Sequence, residues 1–277
     1  MKLNTKGHAG AFGISGSGKT FGAVRHFKEC DGYAILINTM RKRRPDVEID
    51  GPFVDGKNPK ILEAITECLN KEGRVVVDTD DEPTVKKILD YFEGWYDDSY
   101  GLLWFFVDEV DEYSSFRTGF QSAVERLFTK LRNTGIRGYA IAQRTSGQCS
   151  KNIVGQIREF FFYQMFPDDL DDVGRHYGLP RKYDETLKAT KYVQPPEYCC
   201  YHWLNNRVTL VDKNGVEHEI DTEGNPNDEA EETDEETEDD ESEDVDDGVS
   251  AEDNEADDKE LPKPEAVGEA KPDEHAK

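Results

Sequence analysis

The stretch from Gly13 to Thr20, GISGSGKT, fits the pattern G-x-x-x-x-G-K-[ST] without a mismatch. Its chemistry is phosphate binding by backbone. Gly13, Gly16 and Gly18 permit conformations that side chains block, so amides converge on a phosphate and the next helix turns its positive end to the same point. Lys19 is placed to reach the β- and γ-phosphates, and Thr20 offers its hydroxyl to magnesium. The expected nucleotide contacts run through Gly13, Ile14, Ser15, Gly16, Ser17, Gly18, Lys19, Thr20 and Phe21, with ATP and Mg2+ as cofactors.

A second constellation is LLWFFVDEVDEY. An apolar run from Leu102 to Val107 delivers Asp108 and Glu109 to the carboxyl end of a strand, where ligands of open α/β sheets bind. Asp108 then suits the magnesium shell. Glu109 suits deprotonation of an attacking water. An acid pair at this point favours hydrolysis over transfer to a small molecule. A third is GYAIAQR, where Gln143 leaves a buried strand in position to sense the γ-phosphate, and Arg144 follows it. Asp111 and Glu112 read as surface charges.

These groups need a sheet to hold them, and the chain alternates strand with helix. Strands are expected at 8–14, 33–39, 74–79, 101–109, 138–144 and 158–166. Helices are expected at 18–30, 58–73, 82–96, 119–135, 152–157 and 168–178, with 182–192 also helical. YCCYHWL and RVTLVD, joined through Asn205-Asn206, read as a terminal β-hairpin. Tyr192, Tyr198, Tyr201 and Trp203 are expected to pack it. Continuous apolar strands between helices imply a mainly parallel sheet covered on both faces. The fold class is therefore α/β: a three-layer P-loop NTPase with a terminal β-hairpin and an acidic C-terminal tail. A P-loop ATPase domain is expected over 1–213, and a disordered tail over 214–277.

The net charge of −26 belongs almost wholly to that tail, since residues 221–277 carry 27 acidic and 4 basic side chains. The body before it is nearly neutral. So acidic a segment, without aromatic residues, buries too little apolar surface to offset chain entropy. Within the body one run is strongly basic: Arg41, Lys42, Arg43 and Arg44. Such a cluster suits sequence-blind contact with a phosphate backbone, and DNA is its expected partner. Five cysteines without framework spacing predict reduced thiols and a cytoplasmic protein. Cys199, Cys200, His202 and His176 lack the spacing of a metal site. No leader peptide is evident, and no apolar run approaches the ~18 residues of a membrane span.

The order FFVDEVDEY, LFTKLRNTGIRGYAIAQRT, IVGQIREFFFY resembles the FtsK–HerA superfamily of hexameric DNA-pumping ATPases. The closing tripeptide departs from the family's Thr-Gln-Arg, being Ala142-Gln143-Arg144. In its compact size the chain is similar to the genome-packaging ATPases of internal-membrane icosahedral viruses, and also to Zot-type phage assembly ATPases. The resemblance implies an ATP-hydrolysing DNA translocase, ring-forming and hexameric. Double-stranded DNA is the implied cargo, and a virion, portal or membrane protein a further partner. The implied location is the host cytoplasm or the virion. Arg132 matches the arginine of the family's helix-end turn. In the family an arginine from this neighbourhood can act in trans on a neighbour's nucleotide; Arg132 is favoured here, and Arg137 and Arg144 stay open for that role. A nucleotide-gated scaffold with a partner-recruiting tail is the alternative outside the motors.

Overall fold

Strand β1 (His8–Phe12) is buried at every position, which demands cover on both faces of its sheet. The computed structural model supplies that cover. It describes residues 2–39, 51–110, 122–145 and 149–220. The basic run 41–44, Asp111, Glu112 and the stretch 221–277 lie outside the described residues.

After β1 come α1 (Lys19–Glu29), β2 (Tyr33–Asn38), β3 (Phe53–Asp55), α2 (Ile61–Glu72), β4 (Arg74–Asp78), α3 (Glu82–Trp95) and β5 (Leu103–Val107). Then follow α4 (Ala123–Lys130), a 3-10 turn (Leu131–Thr134), β6 (Ile136–Ala142), α5 (Lys151–Val154), β7 (Ile157–Phe162) and α6 (Pro167–Tyr177). The chain continues through β8 (Arg181–Asp184), β9 (Ala189–Tyr192), β10 (Cys200–Leu204), β11 (Arg207–Val211) and β12 (Glu217–Glu219). Ten strands form one sheet in the order β12-β11-β10-β7-β1-β6-β5-β2-β4-β3. From β7 to β3 every pairing is parallel, and β10, β11 and β12 add an antiparallel edge.

Strand alternation sorts the core into two layers. Ala34 and Leu36 face Ala23, Val24 and Phe27 of α1, and Ile35 and Ile37 face the layer of α2 to α6. Arg74 closes the end of α1 by donating to the carbonyls of Phe27 and Cys30 at 2.8 and 2.9 Å. Cations at a helix carboxyl end satisfy its leftover acceptors and its dipole. Among the described residues no helix is long and apolar enough to cross a membrane.

The α/β class and the terminal hairpin match the sequence-based expectation. Asn205 and Asn206 both take positive φ, as a two-residue turn of the right twist requires. Three points differ. The 182–192 segment is not helical but an antiparallel hairpin, β8–β9. Tyr192 is seated so close to Gly174 of α6 that a β-carbon there would lie 2.4 Å from its ring. Arg181 stacks on Tyr192 at 4.4 Å. Packing across α6 thus overrides local helix propensity. The sheet also gains β3 and β12, and β12 carries it to Glu219, past the expected boundary at 213. Finally, Tyr198 does not pack in the terminal hairpin and is exposed.

Candidate nucleotide-binding site

The glycine loop leaves β1 between the carboxyl ends of its two neighbours. Gly13 N–H donates to Ala142 O of β6 at 3.3 Å, and Ile14 N–H to Gln164 O beyond β7 at 2.8 Å. Gly13 has φ 157°, and a β-carbon there would meet Tyr163 Cβ at 2.7 Å and Gln164 O at 2.8 Å. Only glycine fits so close to a backbone carbonyl. The loop then enters α1, whose amino end has no side-chain cap and no acidic residue in its first turn. The first amides of a helix have no acceptor within the helix, and its dipole favours an anion there.

Several features fit a phosphate group. Ser17 is 2% exposed, and its Oγ has no hydrogen-bond partner among the described residues. Lys19 is buried and donates from Nζ to Ile14 O at 3.3 Å, curling its ammonium into the loop. Amides, a buried hydroxyl and a buried cation thus converge at one helix start. Thr20 and Asp108 offer hard oxygen donors of the kind magnesium takes, and Asp108 is 2% exposed.

Strand β5 places the acid pair on the same edge. Val107 pairs with Ile37 on one side and Ala140 on the other, so Asp108 emerges at the carboxyl ends of β2 and β6. Asp108 N–H donates to Ile37 O at 3.2 Å. Glu109 adopts φ 49°, a left-handed conformation, and its N–H donates to Asp108 Oδ1 at 3.2 Å. Thr39, just past β2, donates from Oγ1 to Glu109 Oε2 at 3.3 Å. A single strand, β6, separates β5 from β1. Gln143 directly follows the Ala142 carbonyl that holds Gly13. Loop, acid pair and glutamine therefore share one edge of the sheet.

The arginines divide. Arg132 lies in the turn before β6, and Arg137 near the start of that strand, where its Nε donates to Thr5 O at 2.9 Å and its guanidinium also binds Arg132 O. Both are at the amino end of β6, a strand's length (about 20 Å) from the loop. The fold therefore does not bring Arg132 to the nucleotide loop of its own chain. Arg144 lies on the loop's side, 3.6 Å from Asp169 Oδ2 and 4.4 Å above the Phe166 ring.

Two contributors belong to no sequence motif. Thr39 carries a weak signal, a hydroxyl residue closing a buried strand. The segment after β9 carries none. Gln194 donates to Met165 O at 2.7 Å and accepts from Met165 N–H at 2.9 Å, which fixes this segment beside the loop's own anchor at Gln164.

No family model matches the chain, and no curated protein matches it. Solved structures do. The genome packaging NTPase B204 from Sulfolobus turreted icosahedral virus 2, in complex with AMPPCP, is similar at 13% identity and a TM-score of 0.52. That likeness covers 78% of this chain and 99% of the other. The same NTPase with ATP-γS gives 13% identity, a TM-score of 0.49 and 78% and 97% coverage. The pCW3 conjugation coupling protein TcpA with ATPγS gives 12% identity, a TM-score of 0.42 and 74% and 59% coverage. The chain therefore shares its fold with the B204 NTPase: a mainly parallel sheet flanked by helices, with a P-loop after its first strand.

Proposed function

We propose that the chain is an ATP-hydrolysing DNA translocase, working as a ring and packaging a viral genome. One observation carries the reading: the glycine loop, the Asp108–Glu109 pair and Gln143 meet at one carboxyl edge of the sheet, with only β6 between β1 and β5. A kinase would need an acceptor site there. A glutamate beyond the metal-side aspartate suits water as the acceptor.

Thr20 and Asp108 would hold a magnesium ion, which would supply positive charge to the phosphates. Lys19 and the loop amides hold the β- and γ-phosphates in place. Glu109 takes the proton of the attacking water, and Gln143 orients that water. Arg132, at the far end of β6, serves a neighbouring subunit's nucleotide in this scheme. Arg41, Lys42, Arg43 and Arg44 grip the DNA backbone without reading sequence. The acidic stretch 221–277 competes with DNA for that run.

The test is ATPase rate with and without double-stranded DNA, on protein whose oligomeric state has been measured. DNA is expected to stimulate the parent, while Glu109→Gln binds ATP without turnover. Rings that hydrolyse ATP with no response to any nucleic acid would overturn the translocase.

A further inference from the structure

Tyr198 is 53% exposed and holds a backbone φ of 60°, although Cys200 and Tyr201 just after it are buried. A wet ring on a left-handed residue does nothing for folding. Its position is nonetheless fixed. The segment carrying it is tied through Gln194 to Met165, and its Pro195 carbonyl accepts from Gln164 Nε2 at 3.5 Å. Gln164 is also the residue whose carbonyl anchors Ile14 of the glycine loop. One frame thus sets both the loop and Tyr198.

Tyr198 meets the loop at its last glycine. A β-carbon on Gly18 would lie 3.3 Å from Tyr198 Cδ1 and 3.5 Å from its Cα. Phe21, in the first turn of α1, is likewise 53% exposed. Two solvent-facing aromatic rings therefore border the helix start whose amides face the phosphates. A nucleoside triphosphate held there must put its base somewhere close by, and an aromatic face is what a base stacks on.

We propose that Tyr198, together with Phe21, is the stacking surface for the nucleobase of the bound triphosphate; this rests on the nucleotide-binding reading above. Stacking engages the π-face that every base has, so the contact selects a base-bearing nucleotide over bare polyphosphate and does little to choose among bases.

The experiment compares the full chain with Tyr198→Ala and Tyr198→Trp by calorimetric titration of AMPPNP and of tripolyphosphate, each with magnesium. Tyr198→Ala should weaken AMPPNP binding by roughly 5- to 100-fold and leave tripolyphosphate binding unchanged. Tyr198→Trp should restore AMPPNP binding. Parental AMPPNP affinity in Tyr198→Ala would overturn the proposal. So would equal loss of both ligands, which marks a structural role in shaping the loop. A parent chain that binds neither ligand would sink the nucleotide-binding reading itself, an outcome distinct from these two.

Discussion

Thr39 Oγ1 donates to Glu109 Oε2 at 3.3 Å, tying the residue just past β2 to the turn that follows β5. The carboxylate proposed as the base is thus aimed by a hydroxyl from the next strand. Thr39→Val keeps the shape and removes the donor. Turnover should fall by ~10-fold while ATP affinity stays within a few-fold, because orientation of a base acts on the chemical step. Steady-state kinetics beside equilibrium binding check this, and an unchanged kcat would show that the hydroxyl aims nothing that matters.

Glu109 has a side chain where a left-handed backbone favours glycine, at φ 49°. The conformation costs ~1 kcal/mol. Glu109→Gly should therefore raise stability by up to about 1 kcal/mol while abolishing hydrolysis. Glu109→Gln should abolish hydrolysis with stability unchanged. Urea unfolding of the two variants separates strain from chemistry. A Glu109→Gly protein less stable than its parent would argue that the residue holds the fold together.

Two loop glycines should respond differently to alanine. At Gly13 the added carbon would meet the Gln164 carbonyl at 2.8 Å, a backbone atom held by the Ile14 amide. At Gly16 nothing lies within 4 Å, and only the φ of 82° resists. Gly13→Ala should cost ~2–3 kcal/mol and nucleotide binding with it, and Gly16→Ala ~1 kcal/mol. Thermal midpoints in the reverse order would contradict this account of the loop.

At the antiparallel edge, His202 stands between two carboxylates, Nε2 at 3.0 Å from Glu159 and Nδ1 at 2.5 Å from Glu217. Burial alone would lower its pKa, but the bonds to Glu159 and Glu217 outweigh burial and raise it above 6.5. For Glu217, burial opposes the shift, yet the bonds from His202 and Thr209 pull it below 4.5. A raised histidine stabilises fully below its unfolded value and loses this as pH climbs through the folded one. A lowered carboxylate stabilises above its unfolded value and loses this as pH falls through the folded one. The clasp therefore works best between 4.5 and 6.5. His202→Gln should cost ~1–2 kcal/mol at a pH of about 5.5 and less at a pH of about 8.5. Comparing variant with parent at each pH removes the opposing effect of His8 and His26, which burial pulls down to about 3. A cost equal at both pH values would mean that His202 acts by packing alone.

Much of this protein was legible in its residues because the signals are local. GISGSGKT states its backbone geometry through its glycines. LLWFFVDE states a buried strand with acids at its end. GYAIAQR sets Gln143 beyond a strand that turned out to lie beside both β1 and β5. Unbroken apolar strands between helices gave the parallel sheet, since no other setting buries both faces.

Contacts between distant segments decided the rest. The 182–192 segment has helix-tolerant residues, yet Tyr192 on Gly174 makes it a hairpin. Arg132 matches a motif by its order in the chain, and only the strand order shows that it sits at the edge of the sheet opposite its own loop. Thr39 and Glu109 are 70 residues apart in sequence, and only pairing of β2 with β5 makes them neighbours. Tyr198 reads as one more hairpin aromatic until Gln194 and Gln164 bring it over Gly18. Motif spacing encodes backbone conformation and residue chemistry. Which remote side chain arrives beside a motif depends on strand order and close packing, and these are properties of the whole folded chain.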